Sequence, residues 1–158
     1  MARASIEDPL KKFRFRIIVD GFQRAGFSKC EGLEKTTEEA TYREGGQNET
    51  KQKSAGLTNY SDLTLERGQI VGSQRGGDND FITWADQVNQ VSAAGNAANY
   101  RKDLDIQQFS AQNVRMRVWR VYEAWPKVFK PVGPLDASSS ENSVEVIVLA
   151  NEGWEPVQ

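Results

Sequence analysis

Histidine is absent from this 158-residue chain, and cysteine occurs once, at Cys30. With no imidazole and one thiol, the common nucleophile and base pairs and the His/Cys metal sites lack their parts. Hydrolytic triads are excluded with them. A single cysteine also rules out an intramolecular disulfide, so Cys30 reads as a small buried or half-buried thiol, with an intersubunit bridge as the alternative. No apolar run approaches the 18 or so residues of a membrane span or suits a secretory signal, so synthesis in a reducing cytoplasm without a membrane anchor is expected. Charge of one sign is missing too: 20 Lys+Arg face 22 Asp+Glu, a net −2, which gives no reason to expect electrostatic capture of nucleic acid by a free subunit. There is no GxxxxGK[ST] motif, and Gly45-Gly46 lies between strand-like runs rather than ahead of a helix, so a phosphate cradle is not expected. Asp78-Asn79-Asp80 lacks the alternate spacing of a calcium loop and reads as helix capping. Glu38 and Glu39, adjacent on a strand, would point to opposite faces and cannot share a proton. The chain reads as non-enzymatic, with no cofactor and no metal.

What remains is a chain of one domain, 1–158, whose hydrophobic content of 38% lies below the usual 45–50% or so and suits a sheet protein with one wetted face. Phe13, Phe15, Ile17 and Val19 alternate with Arg14, Arg16 and Ile18, the pattern of a half-buried strand. The two arginines lie on its solvated or subunit-facing side, with a nucleic-acid patch as the other reading. Asp20-Gly21 supplies turn chemistry ahead of a second strand over 27–34. Phe81, Trp84, Ala85, Val88 and Val91 recur at helical spacing and form one apolar stripe, which breaks down over 92–99. Phe15, Ile17, Phe81, Trp84 and Val88 are the expected core anchors. A hairpin is expected from 104–109 and 114–122, turning at 110–113. Trp125-Pro126 should end or bulge the second of these strands, because proline cannot donate to the ladder. A loop follows over 131–142, and Val144 to Leu149 has the near-continuous apolar character of a central strand.

The most informative region is 36–68. Two strand-like runs, 36–44 and 60–67, have similar polar alternation and enclose a glycine-rich polar connection over 45–59. A structureless loop of about fifteen residues in a compact domain is usually functional or disordered, so a contact outside the monomer is expected to hold it. Within this region stand Tyr42-Arg43-Glu44-Gly45-Gly46, Gly56-Leu57-Thr58 and Leu65-Glu66-Arg67-Gly68. Around it, in order, lie Asp8-Pro9, Ala25-Gly26-Phe27-Ser28, Glu31-Gly32-Leu33-Glu34, the Trp84 helix, Ala124-Trp125-Pro126 and Leu149-Ala150-Asn151-Glu152-Gly153-Trp154-Glu155. In order and spacing these pieces resemble the tail tube proteins of contractile phages and of related phage-derived injection machines.

The resemblance implies a mainly β fold, a small β-sandwich or barrel of two packed antiparallel sheets with one α-helix. It further implies a hexameric ring with a continuous inner β-barrel, and rings stacked into a hollow conduit for DNA or effectors. The tube would lie inside a contracting sheath, between a baseplate or tube initiator and a tail terminator, in a virion tail or an injection particle made in the bacterial host cytoplasm. On this reading Arg43, Glu44, Gly45, Gly46, Lys51, Lys53 and Gly56 form the inter-ring stacking loop. Glu39, Thr41, Asp62, Thr64 and Glu66 line the lumen, a mostly negative wall relieved by Arg43. A rival from another class is a monomeric carbohydrate-binding β-sandwich using Trp119, Trp125 and Trp154. A baseplate hub or initiator of related fold usually carries added domains, for which a chain of this length leaves no room.

Overall fold

A computed structural model describes residues 9–20, 26–42, 45–46, 51–68, 80–94 and 100–157. The alternating strand at the start is β1 (Phe15–Val19), and it pairs antiparallel with β6 (Lys102–Phe109). Ile17 then faces Ile106 and Val19 faces Leu104 across the ladder, and all four are buried. Period-two alternation thus delivers one apolar face to the core. Phe15 is half-buried against that core, whereas Phe13, ahead of the strand, is 73% exposed.

β7 (Arg115–Lys130) organises the molecule. Its first half pairs with β6 on one side and with β9 (Gly153–Pro156) on the other. Its second half pairs with β8 (Val144–Ala150), then come β5 (Leu63–Gly68) and β2 (Lys29–Glu31). Two antiparallel layers, β1-β6-β7-β9 and β7-β8-β5-β2, therefore share one strand. The ladder to β6 ends at Ala124 and the ladder to β8 begins at Trp125. At this corner Glu123 adopts φ 53° and donates its N–H to Asp103 Oδ1 at 2.9 Å. A positive φ is uncommon away from glycine and re-aims the strand here. Register also shifts between Pro126 and Val128, so the proline bulges the strand without ending it.

Leu63, Leu65, Ile147 and Leu149 of one layer and Ile17, Val19, Leu104, Ile106 and Val121 of the other enclose the core. Helix α1 (Asp80–Ala94) closes it with Phe81 and Trp84, each 1% exposed, while Val88 on the same stripe is half-buried. Trp84 Nε1 donates to the Tyr100 carbonyl at 2.5 Å, satisfying the polar handle of a ring that is otherwise packed in hydrocarbon. Near the helix, Arg67 pairs with Glu145, and its guanidinium lies 4.2 Å from the Phe81 ring centroid. Asp78, Asn79 and the 95–99 segment fall outside the described residues.

The 36–68 region differs from its expected form. Residues 60–67 are not the partner of 36–44, and 45–59 is not one loop. β3 (Lys35–Tyr42) pairs with β4 (Gln52–Tyr60), from Lys35 opposite Tyr60 to Tyr42 opposite Gln52, in a two-stranded sheet of its own. The chain then crosses Ser61-Asp62 into β5. The cause is burial. Leu63 and Leu65 are drawn to the core, whereas residues 52–59 have no apolar face and so leave no period-two signature.

Candidate assembly surface

The β3–β4 hairpin is the unusual surface. All eight residues of β3 and the first eight of the nine in β4 are exposed, so neither face of the hairpin covers the body of the subunit. Tyr42 is 61% exposed and Leu57 74%. Local contacts hold the two strands together: the Thr37 and Thr58 hydroxyls lie 3.0 Å apart, Ser54 Oγ donates to the Ala40 carbonyl at 3.2 Å, and Lys53 meets Glu39 at 3.1 Å. A Cβ on Gly56 would stand 3.1 Å from the Glu38 carbonyl oxygen, beside the register shift between Thr37 and Glu39, so glycine lets the strands approach there. At its root Tyr60 packs edge-on against Trp154, with centroids 6.2 Å apart, and its ring lies over Gly153.

The expected stacking residues divide over this hairpin. Lys53 and Gly56 are on β4, Lys51 immediately precedes it, and Gly45 and Gly46 are exposed toward its tip. Arg43 and Glu44 lie outside the described residues. The lumen candidates do not share one sheet. Glu39 and Thr41 are on β3, Thr64 and Glu66 are on β5, and Asp62 stands just ahead of β5. Thr64 and Glu66 project away from the core, between Glu31 and Lys29 on β2 and Val148 and Val146 on β8.

Nor are the acidic candidates bare. Glu39 pairs with Lys53, Asp62 with Lys127 at 2.8 Å and Glu66 with Lys29 at 3.6 Å. Glu39 and Asp62 each have a lysine partner, whereas Lys29 is shared between Glu66 and Glu31, the latter at 3.4 Å. Lys29 and Lys127 are the residues that sequence reasoning missed; one lies on a short strand and the other 65 positions from its partner. Cys30 sits half-buried between Lys29 and Glu31, where burial and the Glu31 carboxylate push its thiol up to about 11. A thiol so protonated is a poor nucleophile.

The tryptophans make no platform. Trp119 and Trp154 meet edge-on at 83°, both packed against the core, and Trp125 is edge-on to Tyr100 at 80°. A stacking surface for sugar rings needs coplanar exposed faces, so Trp119, Trp125 and Trp154 do not form the platform that the carbohydrate-binding alternative requires.

A β-rich subunit with three outer strands, β1, β2 and β9, each paired on one side among the described residues, and a hairpin exposed on both faces has the character of a structural building block. The chain belongs to the T4-like virus tail tube protein gp19 family, whose sequence model matches residues 11–155. It is a structural subunit of a tail-type tube. The solved structures it is similar to include the tube-terminating cap of the anti-feeding prophage, at 22% identity and a TM-score of 0.79 over 98% of this chain and 95% of that one. The sheath-tube complex of the PVC extracellular contractile injection system in its extended state matches at 20% identity and a TM-score of 0.76, over 98% of each chain. The anti-feeding prophage baseplate, solved with six-fold symmetry imposed, matches at 22% identity and a TM-score of 0.73 over 96% and 97%. At these identities the shared property is the fold. No curated protein matches the chain by sequence.

Proposed function

We propose that six copies of this chain close into a ring and that the rings stack into a hollow tube, with the β3–β4 hairpin supplying much of the contact between copies. The carrying observation is the hairpin. A two-stranded ribbon in water is marginal at best, and this one is solvated on both faces along nearly its whole length. A neighbouring copy that covers Leu57 and Tyr42 supplies the burial it lacks. Closure of β1 and β2 onto neighbours would remove two sheet edges, as barrels do. Six-fold symmetry is taken from the baseplate neighbour.

Arg43, Glu44, Gly45, Gly46, Lys51, Lys53 and Gly56 are assigned to the ring contact. Glu39, Thr41, Asp62, Thr64 and Glu66 are assigned to the channel wall. With Lys53 and Lys127 pairing two of the three carboxylates and Lys29 shared between Glu66 and Glu31, such a wall keeps a small negative excess that does not hold a polyanion, which suits the passage of DNA or effectors without specific binding. A sheath protein outside, and baseplate or initiator and terminator proteins at the ends, complete the particle, a phage tail or an injection device made in host cytoplasm. Mass photometry and negative-stain imaging of the purified chain across concentration test the proposal. Six-membered rings and tubes are expected; a chain that stays monomeric at high concentration in every salt condition overturns it.

A further inference from the structure

The β1–β6–β7 ladder carries opposite charge at its two ends, although the whole chain is nearly neutral. At one end lie Lys11, Lys12, Arg14 and Arg16, leading into β1, and Arg115 and Arg117, opening β7. The pairing brings them together: Phe109 donates its N–H to the Arg14 carbonyl, while Phe109 and Gln108 stand opposite Arg115 and Arg117. Five of the six are exposed and Arg14 is half-buried, and none makes an ion pair with a described carboxylate. Arg14 and Arg16 rest instead over the Phe13 and Phe109 rings, at 5.5 and 5.3 Å. Apolar side chains are exposed among them, Phe13 at 73% and Val114 at 56%.

Six residues on from Arg14, past β1 at Asp20 and roughly 20 Å away at strand rise, the other end is acidic. The Asp20 N–H bonds the Asp103 carbonyl and the Glu123 N–H bonds the Asp103 carboxylate, which gathers three carboxylates on one rim, with Lys102 beside them. Asp105, next along, is neutralised by two bonds from Arg120 at 2.8 and 3.0 Å. Asp20, Asp103 and Glu123 make no ion pair with a described cation.

We propose that these two ends are the complementary halves of one contact between successive copies of the chain, the Lys/Arg end of one copy seating on the Asp20–Asp103–Glu123 rim of the next. A head-to-tail contact of this kind propagates without closing, which is the geometry of a stack. The acidic rim also lies at the hairpin's root, since Tyr122 pairs with Gly153 and Gly153 lies under Tyr60. The contact rests on the tube reading and adds its polarity and its charge code.

Charge reversal in the full chain tests it. Lys11→Glu, Arg16→Glu, Arg115→Glu and Arg117→Glu take the basic end from six positive charges to a net of two negative, so that both ends are acidic, and Asp20→Lys with Glu123→Lys leaves Asp103 as the rim's one carboxylate, so that both ends are basic. Each set is expected to lower the sedimentable tube fraction at least tenfold while melting as the wild type does. An equimolar mixture of the two, and the chain carrying all six changes, should both recover tubes, because opposite ends meet again. In wild-type tubes a zero-length carbodiimide should couple Lys11 or Lys12 to Asp20, Asp103 or Glu123 between copies. Wild-type tubes that neither reversal weakens, or folded variants carrying all six changes and mixtures that stay unassembled, overturn this contact and leave the tube standing. A wild type that forms no tubes overturns the tube reading itself.

Discussion

Trp84→Ala is expected to remove a large share of the subunit's stability. The ring is 1% exposed, stacks at 6.4 Å on Phe81 and is the main apolar plug between α1 and the sheets. Truncating a buried tryptophan to alanine costs about 3–5 kcal/mol in lost transfer energy and cavity. The half-buried Tyr100 carbonyl also loses its partner, and a lost hydrogen bond of this kind adds about 0.5–1.5 kcal/mol. The sum, about 3.5–6.5 kcal/mol, compares with about 5–15 kcal/mol for a whole domain. At about 2–4 °C per kcal/mol for a chain of this size, the melting temperature should fall by at least about 7 °C, and soluble yield should drop. Thermal melts by circular dichroism, run at concentrations where the chain is unassembled, read the effect. Trp84→Phe separates its parts: it keeps most of the volume, loses the N–H, and should cost no more than about half as much. If Trp84→Ala melts within 2 or so degrees of wild type, the helix does not seal the core through this face and the packing argument fails.

Gly32→Ala should destabilise by at least about 1–3 kcal/mol from backbone strain alone, because Gly32 holds φ 100° and an added Cβ would stand 2.1 Å from the Asp62 carbonyl oxygen; a wild-type melting curve would refute it. Amides of β3 and β4 should exchange quickly in unassembled subunits and slowly in tubes, since the hairpin buries little of itself; equal protection in both states would remove the hairpin from the interface. Cys30, its thiol held at about 11 by burial, should react with a thiol reagent far more slowly at pH 7 than free cysteine, accelerating as the pH rises toward that value. Rapid labelling of the native protein at neutral pH would refute the burial argument.

Elements with a buried face were legible in the residues. Phe15, Ile17 and Val19 alternate because one side of β1 meets the core, and Phe81 and Trp84 recur at helical spacing because α1 meets it too. Proline chemistry predicts a bulge or an end at Pro126, and the bulged form follows because the strand continues into a second layer. β4 was not legible. Its run of Gln, Lys, Ser, Ala, Gly, Leu, Thr and Asn is solvated on both faces in the subunit, and a strand without a buried face has no hydrophobic period to display. With β4 hidden, alternation pairs β3 with β5, whose own alternation is displayed because it meets the core. β9, four residues long, is too short to carry a pattern. The candidate surface was half legible: Glu39, Asp62 and Glu66 could be named from alternation, but their lysines come from pairings remote in the chain, which alternation cannot reveal.

The shared strand β7 has a mechanical consequence. In most two-layer β proteins the layers are separate plates that can slide, resisted by side-chain packing. Here one covalent backbone runs through both plates, turning at Glu123, so a thrust applied to β1-β6-β7-β9 reaches β7-β8-β5-β2 through peptide bonds. Sliding would have to shear hydrogen-bond ladders on both sides of the corner together, and ladders loaded together are far stiffer than ladders unzipped one rung at a time. The corner at Glu123 is therefore where a flexible residue would loosen the covalent coupling of the two layers.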